Sequence, residues 1–304
     1  MSSGLCSICV TIPFKELHDG NYENDENEES WSLGTLADLL LRGECDFCQL
    51  VAVTVGEKTG LDTDNIKVTW YSGSQCFQLN CMTSGTTIRF LTGTYAVGRE
   101  VSGGQVDPAQ VKKWLEMCQA AHTEDCPSPP LDSHEVSLGS FRLIDVNRQC
   151  VVDASIRSTY AALSYVWGQV NSFRLTSSNK DDVMRTDGLC AFSDRLPLTI
   201  RDAILFVRQM GLQYLWIDSL CLVQDDPEDV KSGVEVMDTI YEQSLFTILA
   251  ASGPDASHGL PGVRSNSRKA RQSTCQVSPG IRLIVVREME SLLKPTVYNR
   301  RAWT

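Results

Sequence analysis

Two cysteine pairs near the amino end have the spacing of a metal site. Cys6 and Cys9 form one Cys-X-X-Cys pair, and Cys45 and Cys48 form the second. Four thiolates in two such pairs can close a tetrahedral site around a structural zinc ion. An alternative is that Cys45 and Cys48 face the core of a helix predicted over Leu36–Val53, because free cysteine is often buried. A third interpretation is that the two Cys-X-X-Cys pairs carry out redox chemistry.

A second group of metal-type ligands follows Asp107-Pro108, where a capping aspartate and a first-turn proline predict the start of a helix. Cys118, His122 and Cys126 are spaced at i, i+4 and i+8, so that the first two share one helix face. They can add a ligand to a metal site. Packing and capping are the alternative for this group.

Acidic side chains gather after a buried apolar strand that ends at Ile217. Asp218 comes directly after this strand, and a carboxylate there can stabilise a positively charged, oxocarbenium-like reaction centre. The alternative is that Asp218 accepts hydrogen bonds from neighbouring loop amides. Glu235, on the polar side of the following helix, is a second catalytic candidate, against the alternative of a solvated helix face.

Other side chains at the ends of the predicted strands are candidates for ligand binding. They are Tyr165, Trp167, Gly168, Ser219, Cys221 and Asp225. Tyr165 and Trp167 can form an aromatic wall for a planar ligand, or they can be the edge of the core. Cys221 can serve as a nucleophile with His258 as its base, although buried cysteines are commonly inert.

The elements that must position these residues alternate between strand and helix. Short apolar strands are predicted at Tyr160–Val166, Tyr214–Ile217 and Leu245–Ala251, with helices beginning at Thr199 and at Asp226-Pro227. Such a β-α-β-α-β pattern favours an α/β fold, with a parallel sheet flanked by helices on both faces. Because ligands bind at the carboxyl ends of parallel strands, the candidate residues are expected along one rim.

The amino-terminal part has a different pattern. Runs at Ile66–Tyr71, Cys76–Leu79 and Thr87–Leu91 alternate apolar and polar residues, which predicts an antiparallel meander. Together with the preceding helix, they indicate a smaller, cysteine-containing α+β module. Three prolines at positions 127, 129 and 130 mark a linker. We therefore predict an amino-terminal module over 1–130 and a second domain over 140–304.

Bulk composition excludes several classes of protein. The 304 residues carry a net charge of −11, which argues against a partner with a phosphate backbone and so against nucleic acid. No apolar run approaches the length of a membrane helix, and the first ten residues lack the features of a signal peptide. The 12 cysteines are expected to be core residues or metal ligands of an intracellular, cytoplasmic protein.

The carboxyl-terminal half resembles the fungal heterokaryon-incompatibility (HET) domain in four blocks that occur in the family's order. The blocks are Tyr160-Ala-Ala-Leu-Ser-Tyr-Val-Trp-Gly168; Leu196-Pro-Leu-Thr-Ile-Arg-Asp-Ala203 with Tyr214-Leu-Trp-Ile-Asp-Ser-Leu-Cys221; Met237-Asp-Thr-Ile-Tyr241; and Arg301-Ala-Trp-Thr304. In the family the last block normally continues through Leu-Gln-Glu, so we expect the chain to be truncated at this end.

The resemblance implies a role in nonself recognition, in which contact between unlike fungal cells triggers programmed death of the fused cell. It implies self-association through the HET domain, or binding to other incompatibility proteins. HET domains are regarded as remotely similar to Toll/interleukin-receptor (TIR) domains, some of which cleave NAD. Through that kinship, the alternatives are an NAD-cleaving hydrolase acting through Asp218 and Glu235, or an inactive truncated relative.

Overall fold

The computed structural model describes residues 4–22, 28–56, 60–82, 85–91, 100–101, 103–121, 140–170, 172–269 and 272–300. The chain forms two compact units. The first comprises Met1–Val101 and Ala270–Lys294, and the second comprises Ser102–Lys269 and Pro295–Thr304. Within the described ranges, no helix has the length and apolar character needed to span a bilayer.

Eleven strands and ten α-helices are described. The strands are β1 Glu28–Gly34, β2 Ile66–Tyr71, β3 Cys76–Leu79, β4 Thr86–Phe90, β5 Arg142–Asp145, β6 Cys150–Asp153, β7 Tyr160–Tyr165, β8 Tyr214–Trp216, β9 Phe246–Ala250, β10 Thr274–Ser278 and β11 Ile281–Arg287. The helices are α1 Phe14–Asp19, α2 Leu36–Leu41, α3 Asp46–Gly56, α4 Pro108–Ala121, α5 Lys180–Val183, α6 Leu198–Gln209, α7 Asp218–Cys221, α8 Pro227–Glu235, α9 Met237–Gln243 and α10 Met289–Leu293.

The first unit is built on a six-stranded antiparallel sheet with the strand order β1-β2-β3-β4-β11-β10. The predicted meander forms its β2, β3 and β4. An aromatic cluster fills the core, with Phe77 in ring contact with Phe14, Phe47, Trp70 and Phe90. Because each aromatic side chain buries a large apolar area, this cluster supplies much of the packing of the unit.

The helix predicted over Leu36–Val53 is two helices, so that prediction was wrong in this respect. Thr35 caps α2, since its hydroxyl accepts from the Asp38 amide while the Asp38 carboxylate accepts from the Thr35 amide. α2 ends at Leu41, with Arg42 as its C-cap, and the chain turns before α3 begins. This turn leaves Cys45 outside both helices.

The second unit contains a five-stranded sheet with the strand order β6-β5-β8-β7-β9. The predicted fold class, a parallel sheet flanked by helices of the TIR or flavodoxin type, is wrong. Although β8, β7 and β9 run parallel, β5 pairs antiparallel with both β8 and β6, which makes the sheet mixed. The β5–β6 hairpin is itself apolar, with Leu143, Ile144 and Val151 all at 0% exposure. The sequence pattern indicates this hairpin, at Phe141–Val146 and Cys150–Asp153, but it does not indicate that β5 pairs antiparallel with β8.

Helix α6 covers one face of this sheet with its buried residues Ile200, Ala203, Ile204 and Val207. Their i, i+3, i+4, i+7 spacing is that of an amphipathic helix, as predicted. Gly211, with a φ of +71°, follows the helix in the left-handed conformation that glycine adopts at little cost. The chain then enters β8, whose carboxyl end leads directly into Asp218.

Candidate functional site

The four cysteines of the two Cys-X-X-Cys pairs converge in the first unit. Their sulfur atoms all lie within 4.8 Å of one another. The Cys48 Sγ is 3.8 Å from that of Cys6 and 3.5 Å from that of Cys9. In a tetrahedral site with Zn–S bonds of about 2.3 Å, neighbouring sulfurs lie about 3.8 Å apart, so this cluster has the size of a zinc site.

Local backbone contacts hold the two pairs in place. The Cys6–Cys9 loop is closed by a hydrogen bond from the Val10 amide to the Cys6 carbonyl (3.0 Å), and the Cys9 amide points at the Cys6 Sγ (3.5 Å). The Asp46 amide donates to the Gly4 carbonyl (2.9 Å), which ties the start of α3 to the segment before Cys6. The loops are therefore positioned without a disulfide.

The pKa values of the thiols in the cluster differ from one another. Hydrogen bonds, above all the one with Cys9 and also the one with Arg42, outweigh the effect of burial and lower the pKa of Cys48 to about 5. The hydrogen bond with Cys48 raises the pKa of Cys9. Cys48 is therefore the sulfur best suited to be a thiolate at neutral pH, which is the form that binds a metal.

Arg42 is a neighbour of the cluster that sequence reasoning missed. Its Nη1 lies 3.7 Å from the Cys48 Sγ and 2.8 Å from the Leu33 carbonyl oxygen. A guanidinium in this position offsets the negative charge of a thiolate cluster. Arg42 is the C-cap of α2 and so lies in the turn that precedes Cys45, and the sequence contains no motif that signals its contact with Cys48.

The alternative interpretation, that these cysteines are packed in the core, also agrees in part with the structure. Cys9, Cys45 and Cys48 are at most 3% exposed and belong to the apolar core of the first unit, whereas Cys6 is half-buried. Packing accounts for their burial, but the core does not require four sulfurs to meet at one point. The donor set and the spacing therefore fit a metal ion.

The second candidate site lies at the carboxyl ends of β7 and β8. Here Asp218 Oδ2 accepts a hydrogen bond from the Trp167 indole Nε1 (3.0 Å), while its Oδ1 accepts from the Ser219 amide (2.7 Å). The Tyr165 hydroxyl and the Ser219 Oγ are 2.8 Å apart. The structure therefore brings together four of the predicted site residues. We name Tyr165, Trp167, Asp218 and Ser219 the rim network.

Two further residues lie beside the rim network: Arg174 contacts Trp167, and Gly168 follows Trp167 in the chain. The Arg174 guanidinium lies 4.6 Å from the centre of the Trp167 ring in a cation–π contact that the sequence did not signal. Gly168 has a φ of +68°, and a Cβ at this position would lie 2.3 Å from the Asp255 Cβ. Any larger residue would push the loop of Gly168 away from the loop of Asp255. This close approach explains why glycine stands at the end of the block Tyr160–Gly168.

Three other candidates lie outside the rim network. The Asp225 Oδ1 accepts from the amide and hydroxyl of Ser177 (2.7 and 3.1 Å) and so fastens one loop to another. Glu235 is exposed at the last residue of α8. Cys221 is 1% exposed, and burial raises the pKa of its thiol to about 12, whereas His258 is exposed. A buried thiol with this pKa does not suit a nucleophile.

The remaining metal candidates are only partly described. Cys118 is half-buried on α4, while His122 and Cys126 lie outside the described residues. The helix itself begins as predicted, since Asp107 Oδ1 accepts from the Ala109 amide at 2.9 Å.

Residues 160–304 match a protein-family model described as Heterokaryon incompatibility protein (HET). This match supports a HET-domain protein, as the sequence blocks predict, and HET domains are associated with heterokaryon incompatibility. The matched region contains the rim network and all three parallel strands. No curated protein and no solved structure gives a significant match to the chain.

Proposed function

We propose that this protein acts in fungal nonself recognition, as a signalling or effector module of the cell-death response that follows heterokaryon formation. It works in the cytoplasm, through self-association of the HET domain or through contacts with other incompatibility proteins. The observation that carries this proposal is the match of residues 160–304 to the HET family.

The geometry of the rim favours a signalling role over NAD cleavage. The two carboxylate oxygens of Asp218 accept hydrogen bonds from Trp167 and from the Ser219 amide. Such a carboxylate holds the loop and the aromatic ring in place. Glu235, the second candidate for catalysis, is exposed at the end of α8. The rim network is therefore suited to holding the strand-end loops in place, since Tyr165 and Ser219 are buried and only the half-buried Trp167 and Asp218 can contribute to a recognition surface.

The role in cell death is tested by inducible expression in a filamentous fungus. We expect the wild-type chain to arrest growth and to admit a membrane-impermeant dye. Trp167→Ala removes the hydrogen bond to Asp218 and should abolish this response, whereas Gln169→Ala, at an exposed neighbouring position, should retain it. Growth and dye exclusion at full wild-type expression would refute the proposal and favour the inactive relative.

An assay of NAD cleavage, with Asp218→Ala as the variant, separates signalling from catalysis. We expect purified protein to release no nicotinamide from NAD. Release that is lost in Asp218→Ala would establish the enzymatic alternative.

For the first unit, we propose that Cys6, Cys9, Cys45 and Cys48 hold one structural zinc ion. The convergence of four sulfurs within 4.8 Å carries this proposal. The ion would link the Cys6–Cys9 loop to the start of α3, a cross-link that stabilises a small unit. The ion would have a structural and not a catalytic role, because four protein ligands leave no open coordination position.

The zinc proposal predicts one metal ion per chain, measured by elemental analysis after purification without added chelator. Cys48→Ser should lose most of the metal and lower the midpoint of thermal unfolding. Cys190→Ser is the matched control, since Cys190 is exposed in the second unit, and it should keep the metal. Wild-type protein that stays free of metal after refolding with zinc would refute the site.

A further inference from the structure

Each sheet ends in strands that pair on one side only among the described residues: β1 and β10 in the first unit, β6 and β9 in the second. Such an edge offers main-chain N–H and C=O groups to another chain, and proteins usually blunt it with charges, prolines, bulges or short length. β1 carries Glu28, Glu29 and a register shift, and β10 also has a register shift. β6 has four residues and ends at Asp153.

β9 has none of these protections. The stretch from Ser244 to Ser252 reads Ser-Leu-Phe-Thr-Ile-Leu-Ala-Ala-Ser, without a charge, a proline or a glycine. Its pairing with β7 is regular over five successive residues. Leu249, the fourth of the five residues of β9, is 42% exposed. A regularly paired, uncharged strand edge of this kind is typical of a surface that receives another strand.

An apolar groove of about 380 Å³ runs beside the edge of β9. Ile248 and Ala250 from the strand, Phe206 from α6, and Leu260 and Val263 from the following loop contribute to its lining. A strand added to β9 would place its own apolar side chains over this groove. Main-chain hydrogen bonds and apolar burial would then act together.

The edge is complementary to itself. In a parallel sheet, alternate residues of β9 turn both main-chain groups towards β7, and the residues between them turn theirs outward. A two-fold axis through Ile248 would pair Phe246 with Ala250 of a second copy, and Thr247 with Leu249. Residues 246, 248 and 250 therefore pair with one another across the axis, and residues 247 and 249 do the same. Whichever of these two sets turns its main-chain groups outward, it faces the same set of the second copy. The absence of charge means that this antiparallel pairing brings no like charges together.

We propose that β9 is a self-association edge, at which two copies of this chain join antiparallel to form one ten-stranded sheet, five strands from each copy. The inference rests on the proposed function, in which the HET domain acts through self-association, and it specifies the surface and the register. In this register, the exposed Leu249 of each copy covers Thr247 of the other.

The register permits a charge-exchange test on the full chain under reducing conditions. The double variant Thr247→Lys/Leu249→Lys would place lysine opposite lysine twice across the axis. The double variant Thr247→Glu/Leu249→Lys would place glutamate opposite lysine twice. Neither side chain is buried, so both variants should fold, which circular dichroism would check. Val234→Lys, at an exposed apolar position of α8, is the matched control.

Sedimentation equilibrium should show a wild-type dimer. The lysine–lysine variant should dissociate with a Kd raised by about tenfold or more, since like charges directly opposite oppose pairing. The glutamate–lysine variant and Val234→Lys should associate like the wild type. A lysine–lysine variant that dimerises as tightly as the wild type would overturn the edge. A wild-type chain that stays monomeric at every concentration would also overturn it and leave β9 to a strand of another protein.

Failure of this inference is distinguishable from failure of the proposed function. If the wild type kills cells but does not dimerise through β9, the function stands and the edge assignment falls. If the wild type dimerises with this charge pattern but kills no cells, the edge stands and the function falls.

Discussion

Single buried carboxylates fix the loops of the second unit. Asp202 of α6 is 1% exposed, and its Oδ2 accepts from the Leu260 amide (2.8 Å) while its Oδ1 accepts from the Arg264 Nε (2.9 Å). Gly259, with a φ of +81°, allows the backbone to approach this carboxylate, because a Cβ there would lie 2.7 Å from Oδ2. One aspartate thus holds the loop that follows β9 against α6.

Asp202→Ala should therefore destabilise the second unit by about 2 kcal/mol, mainly because it leaves the buried Leu260 amide without an acceptor. Urea unfolding followed by circular dichroism measures this change in the free energy of unfolding. Arg201→Ala is the control, at an exposed position of the same helix, and should change that free energy by less than about 0.5 kcal/mol. Equal effects of the two variants would contradict the role given to Asp202.

Between elements, a buried ion pair joins β5 to α8. Arg142 is 1% exposed, and its guanidinium donates to the Asp229 carboxylate, to the Cys221 carbonyl (3.0 Å) and to the Ser140 Oγ (2.7 Å). Burial alone would raise the pKa of Asp229, but the hydrogen bonds from Arg142 and from the Val223 amide outweigh it and lower the pKa. The folded protein therefore favours the ionised carboxylate of Asp229.

This lowered pKa sets the direction of the acid response. A carboxyl group with a folded pKa below its unfolded value of about 3.9 contributes its full stabilisation above about pH 5. That stabilisation is lost as the pH falls through the folded pKa. We expect the free energy of unfolding to fall between about pH 5 and pH 2.

Asp229→Asn should lower stability at neutral pH by about 3 kcal/mol, because it leaves the Arg142 charge buried without its partner. It should also flatten the acid limb of the pH profile, measured by urea unfolding across the acid range. Asp194→Asn, at an exposed position, should keep the wild-type profile. A profile for Asp229→Asn as steep as that of the wild type would show that other carboxyl groups dominate.

Across the whole molecule, the two units have different strand directions and different edges. The sheet of the first unit is wholly antiparallel and includes β10 and β11, which come from residues 274–287. That of the second unit joins three parallel strands to an antiparallel hairpin. Residues distant in sequence therefore complete the first sheet, which no local pattern indicates.

The sequence identified several elements correctly for local reasons. Alternating residues predicted the meander, Asp107-Pro108 predicted the start of α4, and the i, i+3, i+4 spacing predicted α6. It also placed Trp167 and Asp218 after successive strands, and the structure brings them into contact. It did not signal Arg42 or Arg174, because their contacts depend on where a helix ends and how a loop returns.

The sequence by itself therefore determined the identity of the chemical groups: two Cys-X-X-Cys pairs and the blocks that match the HET family over 160–304. Only the tertiary structure decided that the four sulfurs meet, that the sheet of the second unit is mixed and that β9 lies at an edge. The physical reason is that periodicity reports which face of an element is buried. It does not report which neighbour covers that face, or in which direction the neighbour runs.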